Sequence, residues 1–270
     1  MTDQATKAAA FRALHDQPQP LLLPNPWDAG TARLLAGLGF DALATTSLGA
    51  ANVLGRRRVR RQDVLDNLRV INEATPLPVT ADLENGFADD PAEAATMVRD
   101  AYDYGAVGGS VEDATGDRQA PIYDFELAVD RVRAAVETAR ALPDPFVLTA
   151  RAENLLYGID DLDDTIKRLQ AFEAAGADVL YAPGLHTLDD MRAVVSSVGK
   201  PVNIVMGFAD PSITLARMAE IGVRRVSIGG ALSRIALASF LGAAQQMRAG
   251  RFDFVADLHP IAELHQAFER

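Results

Sequence analysis

The sequence predicts an α/β fold, a (β/α)8 TIM barrel, on three observations. A segment typical of a strand is followed by one typical of a helix eight times along the 270-residue chain. The strand segments are almost continuously apolar, as is usual for strands that are buried on both faces of a parallel sheet. Eight such units within about 230 residues fit barrel closure better than a doubly wound sheet, because a barrel of this kind takes about 250 residues. We therefore expect a single domain over residues 1–270.

In the first half of the chain, each apolar strand segment precedes a segment with helical periodicity. In the second of these helices, apolar residues recur on one face at Val64, Leu65, Leu68 and Ile71. Pro91 suits the first position of the next helix, where its missing N–H would have no partner. The strands are expected at residues 21–25, 40–47, 78–83 and 106–112. The helices are expected at residues 27–38, 61–73, 91–104 and 124–141.

In the second half, glycines mark the ends of the predicted helices. Gly176, Gly199 and Gly222 each follow a helical segment, at the C′ position where a left-handed residue commonly ends a helix. The strands are expected at residues 146–151, 177–182, 201–206 and 225–228. The helices are expected at residues 162–175, 188–198, 212–221 and 231–248. The C-terminal tail, about residues 251–270, contains one more helical segment at residues 260–268.

Composition and charge exclude several classes of function. The chain is 49% hydrophobic and 23% charged, as in an ordinary globular protein. Its formal net charge of −11 argues against nucleic acid and against an anionic membrane as partners. The chain has no cysteine, which excludes disulfides, thiolate metal sites and a cysteine nucleophile. Neither a secretory signal nor an apolar run of about 20 residues is present, so we expect a cytoplasmic protein.

Lysine usage removes one rival reaction of barrel enzymes. The three lysines are Lys7, Lys167 and Lys200. They lie near the N-terminus, within a predicted helix and just before the seventh strand. Because none of them follows a strand, a Schiff-base aldolase has no candidate nucleophile.

Three carboxylates follow the third and fourth strands at the ends where barrel enzymes place their chemistry. Asp82 and Glu84 end one apolar run, and Glu112 ends the next. Parallel strands bring their carboxyl ends to one mouth. Carboxylate oxygens suit a hard divalent cation such as Mg²⁺. The alternative is that these residues are solvated acids at the rim or caps of the following helices.

Arg151 ends the fifth strand and faces the same mouth. Its guanidinium can bind a carboxylate or a developing oxyanion with two parallel hydrogen bonds. The backbone N–H groups after Ser47 offer a second cradle for an anionic oxygen. The alternative for Arg151 is an ion pair that ties Glu153 or Glu112 across the rim.

An Asp-x-(Asp/Glu)-x-Gly-(Tyr/Phe) element, a (Ile/Val)-Glu-Asp element and an Ala-Arg element follow one another along the chain. The segments concerned, with two earlier ones, are Asn25-Pro-Trp-Asp-Ala-Gly30, Thr45-Thr-Ser47, Ala81-Asp-Leu-Glu-Asn-Gly-Phe87, Ser110-Val-Glu-Asp113 and Thr149-Ala-Arg-Ala-Glu153. By these segments, whose order is quite specific, the chain resembles the isocitrate lyase / phosphoenolpyruvate mutase superfamily between Pro24 and about Leu237.

The resemblance implies roles for individual residues. Asp82 would be the principal contact of Mg²⁺, for which Mn²⁺ is an alternative, and Glu84 and Glu112 would act largely through metal-bound water. Arg151 would bind a 2-oxo or 2-hydroxy acid and offset the charge of its enolate, so the implied catalytic set is Asp82, Glu112 and Arg151. The implied substrate-binding set is Trp27, Thr46, Ser47, Leu48, Gly49, Arg151 and Asn203.

The loop after the fourth strand departs from the superfamily pattern. Isocitrate and methylisocitrate lyases carry a Lys-(Lys/Arg)-Cys-Gly-His motif there, and phosphoenolpyruvate mutases carry a lysine and an asparagine. Residues 114–123 have none of these, which argues against a cysteine-dependent lyase. Arg118 and Tyr123 are the candidates on this loop for a replacement general acid. The further catalytic aspartate of the family has no clear counterpart, and Asp63 is the nearest acid.

Three functions follow from the resemblance and its departures. The leading hypothesis is a Mg²⁺-dependent lyase that makes or breaks a C–C bond beside a 2-oxo acid through a metal-stabilised enolate. The second is P–C bond chemistry, either a phosphonomutase or a phosphonopyruvate hydrolase, for which Arg56, Arg57 and Arg58 offer positive charge. The third is a ligand-binding protein that has lost turnover. The superfamily also implies that the last helix is swapped between subunits of a homodimer or homotetramer.

Overall fold

The computed structural model describes residues 3–269. Eight parallel strands form one sheet with the order β1-β8-β7-β6-β5-β4-β3-β2, which curls into a nearly closed barrel surrounded by helices. The predicted fold class, a (β/α)8 barrel, is therefore confirmed. The strands are β1 Leu21–Leu23, β2 Leu43–Ala44, β3 Val79–Asp82, β4 Gly108–Glu112, β5 Val147–Arg151, β6 Val179–Tyr181, β7 Val202–Val205 and β8 Arg225–Ser227.

The helices follow the strands in the predicted alternation, with two additions. The first addition is a helix before β1, and the second is a short helix directly after β2. The helices are α1 Gln4–Leu14, α2 Ala29–Gly37, α3 Ser47–Val53, α4 Arg61–Ala74, α5 Pro91–Asp103, α6 Phe125–Arg140, α7 Leu162–Ala174, α8 Leu188–Ser197, α9 Leu215–Glu220, α10 Ala231–Arg248 and α11 Ile261–Phe268. Two 3₁₀ turns lie at Leu155–Tyr157 and Asp253–Asp257.

The second strand differs most from its prediction. Residues 40–47 were expected to be extended, but β2 comprises only Leu43–Ala44. Thr46 instead caps α3, because its hydroxyl accepts a hydrogen bond from the N–H of Gly49 at 3.3 Å. The apolar periodicity did not reveal this helix, since its seven residues span less than two full turns.

Asn25 closes the barrel where the two ends of the sheet, β1 and β2, meet. Within residues 3–269, a strand ladder joins every neighbouring pair except β1 and β2. The side-chain amide of Asn25 donates to the carbonyls of Ala44 and Thr45 at 3.1 and 3.0 Å. Its oxygen accepts from the N–H groups of Ile228 and Gly229 at 3.1 and 2.8 Å. One buried side chain thus joins the ends of β1, β2 and β8.

Helix α1 covers the N-terminal end of the barrel. Phe11 is completely buried and packs among apolar residues that include Leu21 and Val179, at the beginnings of β1 and β6. Gly108, on β4, leaves room for this ring, because a Cβ there would lie 3.0 Å from a ring carbon of Phe11 and 2.8 Å from the carbonyl of Val147. The chemistry therefore belongs to the opposite, carboxyl end of the strands.

The strands alternate between an apolar outer face and a polar inner face. Outward side chains such as those of Ala81, Val111, Ala150 and Ile204 belong to the core beneath the helices. The inward positions carry polar groups, and they are Thr80, Asp82, Ser110, Glu112, Thr149, Arg151, Asn203, Arg225 and Ser227. This period-two pattern directs acids, hydroxyls and guanidinium groups into the barrel.

The C-terminal segment has two distinct parts. Helix α11 packs on α2, where Arg33 donates to the carbonyl of Phe268 at 2.6 Å. Helix α10 instead exposes large apolar side chains, namely Ile235, Leu237, Phe240, Leu241 and Met247. A swap of the last barrel helix between subunits stays a prediction, since one chain does not test it. Within the described chain, no helix has the length and apolarity needed to cross a membrane.

Candidate active site

Arg151 lies at the centre of the strand ends, surrounded by three carboxylates. Its Nη1 lies 3.0 Å from Asp82 Oδ1, its Nη2 lies 3.0 Å from Glu112 Oε2, and its Nε lies 2.8 Å from Glu153 Oε1. Its guanidinium carbon also lies 5.1 Å from the centre of the Tyr181 ring. The alternative interpretation of Arg151, an ion pair with Glu153 or Glu112, is thus present in the structure. Together with the pair to Asp82, these ion pairs connect the ends of β3, β4 and β5.

The buried acids of this cluster outnumber its guanidinium group. Burial raises the pKa of Glu84 to about 6, and the charge of Asp82 adds to the shift. Burial also raises the pKa of Glu112 and of Glu153, against the effect of Arg151. Burial would lower the pKa of Arg151, but the three surrounding acids outweigh it and raise that pKa. Burial thus disfavours the charged forms of these acids, and a cation bound at the mouth would stabilise them.

Glu84 is held in a strained backbone conformation. Its φ is 47° and that of Phe87 is 61°, the left-handed region that side chains other than glycine rarely adopt. Arg131, which is buried on α6, donates to the main-chain carbonyls of Ala88 and Asp89 and clamps this turn. Strained residues of this kind persist where the surroundings over-determine them, commonly at functional sites.

Asp113 belongs to the scaffold of the mouth. One of its carboxylate oxygens accepts the N–H of Glu153 at 2.8 Å, and the other accepts Nη1 of Arg168 at 3.1 Å. Arg168 also donates to the carbonyl of Tyr123 at 3.0 Å. Asp113 thus connects the end of β4 to the segment after β5, and it leaves Glu112 as the acid of this pair that faces the mouth.

Two adjoining cavities open among the predicted residues. The outer cavity, of about 420 Å³, is bordered by Glu84, Glu112, Arg58 and Tyr157. The inner cavity, of about 60 Å³, is smaller and lies within the barrel. Its walls include four of the predicted residues, which are Thr46, Asp82, Arg151 and Asn203. The acids and the arginine are therefore brought together at one place.

The segment predicted to bind a carboxylate is the first turn of α3. The N–H of Ser47 donates to Asp82 Oδ2 at 3.0 Å, which positions the acid from a neighbouring strand. Trp27 packs against Gly49, where a Cβ would lie 2.9 Å from that of the tryptophan. Leu48 contacts Gly230 after β8. Trp27, Leu48 and Gly49 lie outside the walls of both cavities, so their substrate-binding role stays a prediction.

Asn203 is buried and is oriented by a residue that the sequence reasoning missed. Its Oδ1 accepts a hydrogen bond from Nε of Arg225 at 3.0 Å, and its Nδ2 donates to the hydroxyl of Ser227 at 3.1 Å. Arg225 was taken only as the first residue of the eighth strand. A signal was available in the strand pattern, because Arg225 and Ser227 alternate with the outward Val226.

The loop over residues 114–123 folds back on itself, with a bridge between Ala114 and Ile122. The Tyr123 hydroxyl donates to Asp89 Oδ1 at 2.6 Å, and its ring lies 4.1 Å from the guanidinium carbon of Arg131. Tyr123 is buried and borders neither cavity, so its role as a general acid stays a prediction. Arg118 is exposed on the same loop.

Asp63 has a structural role at the start of α4. Its Oδ2 accepts the N–H of Arg60 at 2.9 Å and Nη1 of Arg56 at 2.7 Å. These bonds cap the helix and pair with an exposed arginine. Asp63 borders neither cavity, and it does not replace the missing catalytic aspartate.

The donor set of the mouth fits a hard divalent cation. Asp82, Glu84 and Glu112 supply carboxylate oxygens, which Mg²⁺ and Mn²⁺ prefer. Burial raises the pKa values of Glu84 and Glu112, so their charged forms are disfavoured, and a bound cation would stabilise those charged forms. The three acids do not form a closed cage, and no group of three or more His, Cys, Asp or Glu residues among residues 3–269 is arranged as one. Arg151 instead bridges two of them.

Comparison with known proteins identifies relatives over most of the chain. The family model described as phosphoenolpyruvate phosphomutase matches residues 11–248. A solved structure from Burkholderia cenocepacia J2315, described only in general terms as a lyase/mutase, is 53% identical in sequence. Its TM-score is 0.96, with coverage of 99% of this chain and 97% of that chain.

Two curated relatives are lyases of small organic acids by name. The chain is similar to 2-methylisocitrate lyase of Escherichia coli (strain K12), with 32% identity over 217 residues, which are 76% of this chain and 72% of the lyase. It is also similar to 2,3-dimethylmalate lyase of Eubacterium barkeri, with 28% identity over 228 residues, which are 80% of this chain and 72% of the lyase.

We expect the substitution Arg151→Met to destabilise the fold by about 3–5 kcal/mol near pH 8, because it leaves buried carboxylates without their cation. The loss should be smaller near pH 5. Unpaired buried acids have raised pKa values, so the folded variant takes up protons that the unfolded chain does not, and its stability rises as the pH falls. Urea unfolding of both proteins at both pH values measures the difference.

Arg192→Met provides the control for that experiment. Arg192 forms an exposed ion pair with Asp189 one turn earlier on the same helix. Its loss should change the free energy of unfolding by less than about 0.5 kcal/mol at either pH. Equal losses for the two variants, or a loss for Arg151→Met that is independent of pH, would contradict the buried ion-pair cluster.

Proposed function

Because the chain belongs to the phosphoenolpyruvate phosphomutase family, within the isocitrate lyase / phosphoenolpyruvate mutase superfamily, we propose that it is a Mg²⁺-dependent lyase. It makes or breaks a C–C bond beside the oxo group of a small 2-oxo or 2-hydroxy acid. The observation that carries this proposal is the cluster in which Arg151 meets Asp82 and Glu112 at the carboxyl ends of three neighbouring strands.

The acids of the mouth are the proposed metal site. Asp82 would hold the cation directly, and Glu84 and Glu112 would hold it largely through water. The burial that raises the pKa values of Glu84 and Glu112 supports this assignment, because a cation would stabilise their charged forms. When bound, Mg²⁺ or Mn²⁺ supplies a Lewis acid for an oxyanion beside the reacting carbon.

Arg151 is the proposed substrate-binding residue of the mouth. Its guanidinium is planar and always charged, and it is fixed by carboxylates on three sides. A fixed cation needs no reorganisation as negative charge develops on the substrate. Thr46 and Asn203 border the same inner cavity and are proposed to orient the acid there. Trp27, Ser47, Leu48 and Gly49 are proposed to support its carboxylate end.

P–C bond chemistry is the second candidate, and two observations favour it. The matching family model carries the description of a phosphomutase. Arg58 borders the outer cavity beside Glu84 and Glu112, and it donates to the carbonyl of Gly116 on the loop over that cavity. A cation in this position suits a substrate with an additional anionic group such as a phosphonate.

Turnover distinguishes these candidates. We expect the purified protein with Mg²⁺ to release a pyruvate-type or oxalate-type product from a panel of 2-hydroxy and 2-oxo diacids. Chromatography of the reaction mixture detects the product. No product from any member of the panel would overturn the C–C lyase. Loss of the C–P resonance of phosphonopyruvate in phosphorus NMR would identify the second candidate. Oxalate binding without turnover of either kind would identify a ligand-binding protein.

We expect Asp82→Asn to weaken Mg²⁺ binding by about tenfold or more, because it removes the charged donor from the proposed site. Calorimetric titration measures the affinity, and the rise in thermal stability on adding Mg²⁺ gives a readout independent of activity. Asp66→Asn is the matched control, since Asp66 is an exposed acid on α4. An unchanged Mg²⁺ affinity in Asp82→Asn would contradict the assignment of Asp82 as a metal ligand.

The exposed apolar side chains of α10 support an assembly of two or four chains. We propose that α10 packs against a second copy, because Ile235, Phe240 and Leu241 are exposed at positions spread around the helix, so that α10 presents large apolar side chains on more than one side. Light scattering should give a mass of two or four times 28.9 kDa for the protein as it stands. The double variant Ile235→Glu, Phe240→Glu should give a smaller assembly, whereas Val70→Glu on α4 should not. A monomeric parent protein would contradict this.

A further inference from the structure

Arg225 is a buried cation inside the barrel without an acidic partner. It is 4% exposed, and within residues 3–269 no carboxylate lies within 4.0 Å of its guanidinium nitrogens. Its Nε donates to Asn203 Oδ1 at 3.0 Å, and its Nη1 donates to the hydroxyl of Thr149 at 2.9 Å. Its Nη2 donates to no acceptor in the described part of the chain. A buried charge without a counter-charge is costly, so the fold retains it for a reason.

The guanidinium group borders the inner cavity together with polar side chains. The hydroxyl of Thr80, which is 2% exposed, lies in the wall of the cavity and has no hydrogen-bond partner among residues 3–269. Ser110, Asn203 and Ser227 add further hydroxyl and amide groups to the wall. Two groups without a hydrogen-bond partner in the described part of the chain, Nη2 of Arg225 and the hydroxyl of Thr80, thus belong to the wall of a space of about 60 Å³.

Within the described chain, Arg225 is the unpaired cation in the wall of the cavity. Arg151, which borders the cavity at the mouth, is already paired with Asp82 of the same wall and with Glu112 and Glu153. Burial lowers the pKa of Arg225 to about 10, which leaves the guanidinium charged at neutral pH. The unpaired charge of Arg225 therefore favours an anion in the part of the cavity next to it.

We propose that Arg225, with Thr80 and Asn203, makes the inner cavity a binding subsite for a compact monoanion, either a carboxylate group or a halide. A volume of about 60 Å³ has room for roughly four waters, which is enough for a group of that size. The carboxylate alternative rests on the proposed function, in which the same cavity receives the substrate acid, and it adds Arg225 and Thr80, to which that function gives no role. Binding of a simple anion here needs neither metal nor turnover, so it is tested separately from the proposed reaction.

Crystallography of the whole protein locates the anion directly. Crystals soaked in sodium bromide should show an anomalous peak in the inner cavity within hydrogen-bond distance of Arg225. Formate added to the soak distinguishes the two ligand classes, because displacement of bromide identifies a carboxylate subsite and retention identifies a halide subsite. Only water in the cavity, with bromide absent or bound elsewhere, would overturn the proposal.

Variants test the residue assignment in solution. Formate should raise the thermal stability of the parent protein, and its apparent affinity should fall about tenfold or more in Arg225→Gln, because a charged hydrogen bond is lost. Arg224→Gln is the control. Arg224 is the neighbouring residue in the sequence, and its guanidinium donates to the carbonyls of Gln17 and Pro18 outside the barrel. Formate affinity in Arg225→Gln within about twofold of the parent value would refute the assignment.

A second variant, Thr80→Val, tests the subsite even if Arg225→Gln does not fold. Thr80→Val removes a hydroxyl that has no partner, keeps the shape of the side chain and leaves all charges in place. It should fold and bind formate more weakly than the parent protein. Formate affinity that is unchanged in Thr80→Val would remove Thr80 from the subsite and count against the proposal.

Discussion

The mouth of this barrel depends on one buried guanidinium that contacts three carboxylates. Parallel strands in register bring their carboxyl ends to the same level, with Glu112 directly opposite Arg151 across β4 and β5. Arg151 then holds Asp82, Glu112 and Glu153 within 3.0 Å of its nitrogens. Without this cation, the acids would repel one another in a space with little water to screen them. The cluster thus fixes the ends of β3, β4 and β5 relative to one another.

The scaffold around the mouth uses buried polar side chains to join separate loops. Asn25 connects the ends of β1, β2 and β8, and Arg168 connects Asp113 to the loop that ends at Tyr123. Arg131 clamps the turn after β3, which carries Glu84. Hydrogen-bonded networks of this kind favour one arrangement of the backbone, because a broken member would leave a buried group unpaired. They keep the predicted ligands in place before any substrate arrives.

The charged groups inside the barrel lie at two levels. The upper level, at the strand ends, has Asp82, Glu112 and Glu153 around the single cation Arg151. At the lower level, Arg225 has no carboxylate partner among residues 3–269. A small acid that binds between these levels would meet a metal site on one side and a guanidinium on the other. This polarity comes from the alternation of inward residues along each strand, so that Asp82 lies two residues beyond Thr80 and Ser227 two residues beyond Arg225.

The sequence by itself determined the barrel and the residues that end its strands, because apolar periodicity, helix-ending glycines and strand-end acids are local patterns. Only the tertiary structure decided which of those residues meet. The contact of Arg151 with Asp82 spans 69 residues, and that of Arg225 with Thr149 spans 76 residues. Such pairs depend on strand register and on the inward face of the sheet, which local patterns do not specify. The same reason applies to Tyr123. It lies on a loop without periodicity, so the sequence did not indicate that its hydroxyl donates to Asp89.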